Sequence, residues 1–462
     1  MAVSIDNLIR MRISASRPPV ERTDFATSLV FSDNFYFSDG SLTKHAGSAE
    51  DLLNMSVMRK TDNSPLETSD GLYKSVEMLT KKPGLKVAIG LIDKNEPNAN
   101  IKEKYGITAV SDTFDKVRFA FKFRINTDNE VTVSVTGESG DDQAAIAVKF
   151  QLELESAPGF DKILVQVKTN TLEITTANFE DRLLVTHVTK TEVTSLASRV
   201  TVPDTGSRLS RVAEKTAFYF LLSPIRDKAK VLEMARWADG KTKLFVTASA
   251  DPEISDIPNE SNPGDIAAST FTRKYDNTVV LSSGDSDNFP DSRWVSERGR
   301  FEPASAKWAF AGLSGIIPDD INQNQLDVIS SKNANCYTTI AGRDIIMGKN
   351  GGGTTASGKF IDIVIGTHWQ QEELQKSLFS FLSDDERKTD FSNAGMLIIG
   401  QQFKMALEKG LKHFSKSYTL HIPKESDFTP DQIGSRRLSG IRWNIKPKHA
   451  VQGFEIDGRI ED

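Results

Sequence analysis

The segment 358–411 constrains the fold most, because the spacing of its apolar residues changes within a short length of chain. The β-branched run 360–365 ends at Gly366 and predicts a short buried strand. Thr367 and Gln370 have the spacing of a capping box, so we expect a helix to begin at Thr367. The apolar stripe of that helix would consist of Leu374, Leu378, Phe381 and Leu382.

A second helix is predicted after a charged loop. Ser392 suits the N-cap position, and Gly410 predicts the C-terminal end. One arc between them is apolar and contains Met396, Ile399, Phe403, Ala406 and Leu407. The whole segment therefore predicts strand, helix, loop and helix.

Composition sets the outer limits. A chain of 462 residues predicts roughly three domains, at a usual ~150 residues each. The charge balance, 57 Lys and Arg against 63 Asp and Glu, requires neither a nucleic acid nor an anionic membrane as partner. The single cysteine, Cys336, excludes an intrachain disulfide framework and fits a reducing cytoplasm. No apolar run approaches the ~20 residues that span a bilayer, so we expect no membrane insertion.

The order of elements predicts a discontinuous α/β core with a β-rich insertion. Buried strands are expected at 28–32 and 85–92, with one short helix near 52–58. The insertion would hold alternating strands at 117–125, 131–135, 163–167, 172–175 and 183–188, and a helix at 141–155. A strand at 218–222, a helix at 228–237 and a strand at 244–247 then predict a βαβ unit, hence a partly parallel sheet.

The resulting fold class is α/β and α+β multidomain. We expect an N-terminal arm (1–22), a middle α/β domain in two parts (23–95 and 199–344), an inserted β-rich outer domain (96–198), an inner C-terminal domain of one strand and two helices (345–430), and C-terminal arm strands (431–462).

Both ends of the chain carry strands with one apolar face. Ile9, Met11 and Ile13 alternate with polar residues before a Pro-Pro break, and Ile441, Trp443 and Ile445 alternate with polar residues before Pro447. A further alternation contains Phe454 and Ile456. Each strand could belong to a sheet of its own domain, or could be an extended arm that joins a sheet edge of another subunit.

Patterns typical of catalytic or ligand sites are weak in this sequence. Gly353, Gly358 and Lys359 approach a P-loop, but Phe360 stands where a hydroxyl should meet magnesium, and the predicted strand at 360–365 is the wrong continuation. The run 348–358 is better interpreted as a flexible connector. Cys336 is expected to be a small buried thiol, and the six histidines are scattered. We expect no enzyme activity, no metal and no cofactor.

One basic segment stands out against the acidic background. Lys404, Lys409, Lys412 and Lys416 lie close together with only Glu408 opposing them. A charge run of this kind is most often a solvated helix face. The alternative is a docking surface for an acidic partner.

A set of local patterns resembles the tail sheath proteins of phages with contractile (myovirus-type) tails. The matching features are Asp362, Trp369, Thr389-Asp390-Phe391 with Ala394-Gly395, Ala235-Arg236-Trp237-Ala238 followed by 241–247, Ala311-Gly312-Leu313 with Ile317-Pro318, the run 332–337 before Gly342, and Arg17-Pro18-Pro19 up to Ser32. Together they touch most of the chain except roughly residues 100–200.

The resemblance implies a structural subunit that stacks in sixfold helical rings around a tail tube and contracts without catalysis. It implies contacts with the tube, baseplate and tail terminator proteins, location in the virion, and assembly in the cytoplasm of the bacterial host. Donor-strand exchange by the two terminal arms would link subunits, and the four lysines would face the tube. Another tail or baseplate protein and an α/β enzyme remain as alternatives.

Overall fold

The computed structural model describes residues 24–95, 100–125, 129–157, 160–176, 183–188, 193–202, 205–256, 264–384 and 388–452. The N-terminal alternation with Ile9, Met11 and Ile13, and the last one with Phe454 and Ile456, lie outside these residues. The chain divides into two compact units: one runs from Asn95 to Arg208, and the other contains the described residues on either side. Each unit has its own hydrophobic core.

The first elements of the larger unit precede the insertion. They are β1 (Thr27–Ser32), β2 (Phe35–Phe37), β3 (Thr43–Ala46), α1 (Glu50–Asn54), β4 (Val57–Arg59), α2 (Gly71–Thr80) and β5 (Lys86–Leu91). The buried strands expected at 28–32 and 85–92 are therefore present as β1 and β5. The helix expected near 52–58 ends at Asn54, and α2 was not predicted, although Leu72, Val76 and Leu79 form its buried stripe.

The inserted unit is β-rich with one helix. Its elements are β6 (Asn100–Ala109), β7 (Arg118–Ile125), β8 (Val131–Thr136), α3 (Gln143–Glu155), β9 (Ile163–Lys168), β10 (Thr171–Thr176), β11 (Leu183–Val188) and β12 (Val193–Val202). They form two antiparallel sheets, ordered β12-β6-β10-β9 and β11-β7-β8. Five strands and the helix match the sequence prediction, whereas β6 and β12 were not predicted. The two sheets and α3 share one apolar core that includes Phe119, Phe121 and Phe150.

The larger unit resumes with alternating helices and strands. They are α4 (Thr205–Ala213), β13 (Phe220–Leu222), α5 (Lys228–Asp239), β14 (Leu244–Ser249), α6 (Ile266–Thr272), β15 (Thr278–Ser282), α7 (Pro290–Arg298), α8 (Gln323–Ser331), β16 (Asn335–Ile340) and β17 (Arg343–Gly348). The predicted βαβ unit is confirmed, because β13 and β14 pair in parallel and α5 connects them. Asp227 caps α5 by accepting a hydrogen bond from the backbone N–H of Lys230.

One eight-stranded sheet organises this unit, in the order β17-β16-β15-β14-β13-β1-β5-β3. The six inner strands are parallel, and the edge strands β3 and β17 pair antiparallel. Alternate residues point to opposite faces: Val30 packs with α2 and α7, whereas Leu29 and Phe31 pack with α4, α5 and α6. Helices therefore cover both faces, as expected for a buried parallel sheet.

The C-terminal part contains α9 (Ile361–Leu382), α10 (Asn393–Gly410), β18 (Ser415–His421), α11 (Pro430–Gly434) and β19 (Arg442–Pro447). The prediction of a strand at 360–365 is wrong, since these residues begin α9 after the N-cap Phe360. A short apolar run fits a buried helix as well as a strand. Here Ile361, Val364 and Ile365 lie on one helical face, buried in the core of the large sheet.

Two further predictions in this region also fail. Thr367 does not cap a helix: it lies within α9, and its hydroxyl donates to the carbonyl of Ile363 at 2.8 Å, the back-bond that threonine makes inside helices. The segment 348–358 is not a flexible connector, because Thr354 and Thr355 are fully buried. The helix at Ser392 is confirmed, with its side chain accepting from the backbone N–H of Gly395.

Candidate assembly surface

Helices α9 and α10 build a small core that is separate from the core of the large sheet. Its buried members are Leu374, Leu378, Phe403, Ala406 and Leu407. Helix α9 thus contributes to two cores, because its first turns pack on the sheet and its later turns pack against α10. The predicted stripe of α9 is largely correct, although Leu382 is 59% exposed.

Strands β18 and β19 form a two-stranded antiparallel sheet that covers this small core. Trp443 pairs with Leu420 and Ile445 with Tyr418. These four side chains and Ile441 pack against the core while staying half-buried. The apolar face of β19, predicted from its alternation, is therefore covered by helices of its own chain. In this structure the segment with Ile441, Trp443 and Ile445 belongs to a sheet of its own domain, the first of its two alternatives, and not to an arm on the sheet of another subunit.

Both outer edges of this small sheet lack a strand partner among the described residues. An unpaired edge offers backbone N–H and C=O groups to another strand. The β18–β19 sheet is therefore suited to accept strands.

The four candidate lysines differ in their surroundings. Lys404 lies 3.9 Å from Glu408, Lys409 lies 2.7 Å from Glu373, and Lys412 lies 3.0 Å from Glu302. Lys416, exposed at the start of β18, has no carboxylate within 4.0 Å in the described part of the chain. Exposed ion pairs contribute only about 0–1 kcal/mol each, so the three paired lysines remain available to rearrange toward a partner.

Sequence patterns gave no sign that Glu302 would meet this region. Its carboxylate accepts a hydrogen bond from Lys412 and lies 2.6 Å from Nε2 of His413. The Lys412 ammonium is the main reason that the pKa of Glu302 lies below its ordinary value. The interaction ties the loop after α7 to the end of α10.

Gly366 is a second residue whose role only the fold reveals. It lies inside α9, where a Cβ atom would come within 2.1 Å of Cδ2 of Phe414. The absence of a side chain therefore lets α9 approach the turn that leads into β18. The glycine was predicted to end a strand, whereas an isolated glycine in a helical pattern is the signal for a close approach of this kind.

The glycine-rich segment 348–358 leads into a helix, so one sequence argument against phosphate binding was incorrect. Its backbone N–H groups are nevertheless already used. Those of Gly353 and Thr354 donate to Oδ1 of Asn335, and that of Ala356 donates to the carbonyl of Thr278. Lys359 forms a 2.7 Å salt bridge with Asp276. The segment is a packed structural connection and offers no cradle of free N–H groups to a phosphate.

Other groups with possible chemistry are buried. Burial raises the pKa of Cys336 to about 12, which opposes nucleophilic reactivity at neutral pH. His368 lies inside α9, with Nδ1 3.0 Å from the hydroxyl of Tyr219, the residue immediately before β13. Within the described ranges, no three His, Cys, Asp or Glu side chains are arranged to hold a metal ion. Helices both long and apolar enough to cross a membrane are also absent from that part of the chain.

Comparisons with known proteins give matches only at the level of structure. A scan against protein-family models matches none, and a search of curated proteins also finds no match. Among solved structures, a chain of the anti-feeding prophage baseplate, determined by cryo-electron microscopy with 6-fold symmetrisation, matches at a TM-score of 0.51 and 10% identity over 98% of both chains. This likeness confirms the predicted fold class, a multidomain chain of α/β and α+β type.

A second solved structure is the sheath tail protein from Desulfitobacterium hafniense. It matches at a TM-score of 0.41 and 10% identity, over 89% of this chain and 93% of that one.

Proposed function

We propose that this chain is a structural subunit of a contractile phage tail sheath. In this function it polymerises helically, in sixfold rings, around the tail tube and contracts to drive the tube through the host envelope for genome ejection. Its partners are other copies of itself, the tube, the baseplate and the tail terminator, with no direct contact with nucleic acid and no membrane insertion. It assembles in the host cytoplasm and resides in the virion as a non-enzymatic component.

The observation that carries the proposal is the unfinished β18–β19 sheet over its own small helical core. Strands from neighbouring copies can complete it: Ile9, Met11 and Ile13 from one end of the chain, and Phe454 and Ile456 from the other. An added strand of about five residues makes a few ladder hydrogen bonds, each contributing about 0.5–1.5 kcal/mol net. Such links hold neighbours together while their larger units rotate.

The fold likeness to a baseplate chain supports a role in a tail-like assembly. It also supports the second candidate, another tail or baseplate structural protein. The division into an N-terminal arm, a two-part middle domain, an inserted domain and a C-terminal region remains part of the proposal. So does the tube-facing role of Lys404, Lys409, Lys412 and Lys416, with Lys416 the strongest of the four because it has no acidic neighbour among the described residues. An α/β enzyme is less well supported, since the groups with possible chemistry are buried or engaged in structural contacts.

Electron microscopy of the purified protein in negative stain tests the proposal. We expect hollow polymers or stacked rings, and we expect deletion of residues 1–16 to leave a folded protein that no longer forms them. Reversal of the charges of Lys404, Lys412 and Lys416 should weaken co-assembly with the tube but leave the empty polymers intact. A protein that stays monomeric at high concentration would contradict the proposed function.

A further inference from the structure

The solvent face of the β18–β19 sheet carries only polar and basic side chains. Cross-strand pairs place Ser417 beside Lys446, Thr419 beside Asn444, and His421 beside Arg442. All six of these residues are exposed, because the intervening apolar side chains point to the small core. We call Ser417, Thr419, His421, Arg442, Asn444 and Lys446 the basic face.

The cations of this face are not neutralised within the described chain. No carboxylate there lies within 4.0 Å of Arg442 or Lys446, and the neighbouring Lys416 is also unpaired. This contrasts with Lys404, Lys409 and Lys412, each of which has an acidic neighbour. Cations without an acidic neighbour among the described residues therefore also lie on the sheet, at Arg442 and Lys446, outside the run of lysines that the sequence singled out.

The charge of the rest of the chain indicates what the basic face would meet. Residues 415–449 contain seven Lys and Arg against three Asp and Glu, whereas the whole chain contains 57 against 63. The remainder consequently has 50 against 60, a net charge of minus ten. A second copy of this chain thus carries an excess of acidic residues outside its own basic face, and these can complement the basic face of the first.

One feature disfavours a nucleic acid at this face. Trp443 and Tyr418 point to the core, so the face has no exposed aromatic side chain on which bases could stack.

We infer that the basic face of one copy docks on an acidic surface of the next copy. Two basic faces repel each other, so the contact is heterologous, head to tail, and such contacts generate rings or open helical filaments. This inference rests on the proposed function, because both describe self-assembly. The docking contact differs from strand exchange in its response to salt. Backbone hydrogen bonds at the sheet edge resist salt, whereas exposed charge pairs are screened over about 8 Å at physiological ionic strength.

The test compares wild-type protein with the Arg442→Glu/Lys446→Glu variant by sedimentation velocity and electron microscopy across a salt series. Lys416 is left unchanged because it belongs to the set proposed to face the tube. The matched control is Arg343→Glu/Lys86→Glu, which makes the same change in net charge at exposed positions of β17 and β5. We expect the critical concentration for assembly to rise about tenfold in the basic-face variant at low salt, with little change in the control. Circular dichroism should show all three proteins folded.

Mixing separates a docking contact from a general charge effect. The basic-face variant keeps its acidic residues, so it should bind the basic face of one wild-type copy but cannot dock on a further copy. A mixture with one tenth of this variant should therefore form shorter assemblies than the wild type alone. The control variant should not shorten them. Assembly of the basic-face variant equal to wild type, or equal weakening by both variants, overturns the inference while leaving the proposed function intact. If the wild-type protein forms no polymers, the proposed function fails. Association of the wild type at low salt that only the basic-face variant loses would still support the docking contact. If the wild type shows no association at all, both the proposed function and the docking contact are overturned.

Discussion

At the scale of single residues, the pair formed by Tyr219 and His368 joins the large sheet to α9. Both side chains are fully or almost fully buried, and their rings meet edge to face with centroids 5.9 Å apart. Burial lowers the pKa of His368 to about 4 and raises the pKa of Tyr219 well above its ordinary value. Both groups are therefore neutral at pH 7, and their hydrogen bond links the residue before β13 to α9.

This pair predicts a loss of stability in mild acid. Between pH 6.5 and pH 4 the unfolded chain protonates His368 but the folded chain does not. The free energy of unfolding therefore decreases as the pH is lowered from 6.5 to 4, and His368 causes no further decrease below pH 4. A shift of this size corresponds to about 3 kcal/mol. Chemical denaturation at several pH values should show this slope in the wild type and a reduced slope in His368→Gln.

Asp239 provides the control for that measurement. Burial raises its pKa to about 6, so the folded chain binds the extra proton between pH 6 and pH 3.8, and stability from this group rises as pH falls. Its contribution opposes that of His368 in the same window. The Asp239→Asn variant should therefore lose stability more steeply than the wild type as the pH is lowered. If His368→Gln shows the same slope as the wild type, His368 is not the source of the loss of stability in acid.

At the scale of elements, α9 is the connection that gives the C-terminal region its place. Its N-terminal half belongs to the core of the large sheet and its C-terminal half to the small core under β18 and β19. The side chain of Gln370, buried between these halves, donates to the carbonyl of Ala406 at 2.9 Å and fixes α10 against α9. The small core is therefore joined to the large sheet through α9, and on its other side it is covered by only the two strands β18 and β19.

We predict that Trp443→Ala loosens only this small core. Trp443 is half-buried, so its truncation should cost less than the 3–5 kcal/mol typical of a fully buried tryptophan, about 1–3 kcal/mol. Hydrogen exchange should speed up in the later part of α9, in α10 and in β18, and stay unchanged in the eight-stranded sheet.

Asn444→Ala is the matched control for this substitution, because Asn444 lies next to Trp443 on the opposite face of β19. It should leave exchange unchanged throughout. If Trp443→Ala behaved in the same way, the tryptophan would not support the core of its own chain, and its role would belong to contact with a neighbour.

At the scale of the whole molecule, the chain separates into a large α/β unit and an inserted β-rich unit. The cores of the two units contain different residues, with the inserted core drawn from β6 to β12 and α3. The predicted boundary at 198 falls inside β12, where Ser198 pairs with Lys104 of β6. A deletion that ended there would split the longest strand pairing of the insertion. The start of α4 is therefore the better C-terminal junction for removing the insertion.

We therefore expect that residues 96–204 can be replaced by a short flexible linker. The shortened protein should keep a cooperative thermal transition because the cores of the large unit remain complete. It should also still polymerise. The excised segment 95–204 should fold separately, as its core is its own. A shortened protein that is folded but forms no polymers would place the insertion in the assembly interface.

The sequence by itself determined the elements whose side-chain period is long and unambiguous. These include the βαβ unit, the capped start of α10, most strands of the insertion, and the two-faced β19. Such elements follow from local spacing, since a period of two or 3.6 residues selects the face that must be buried. The fold class followed from their order.

Tertiary structure decided what local spacing leaves open. The run 360–365 became helix because burial on one helical face satisfies the same apolar residues that a strand would bury. Gly366 depends on Phe414, the lysines on Glu302 and Glu373, and the apolar face of β19 on helices dozens of residues earlier in the chain. Interactions between residues far apart in sequence fixed these outcomes, and no pattern within one segment contains them.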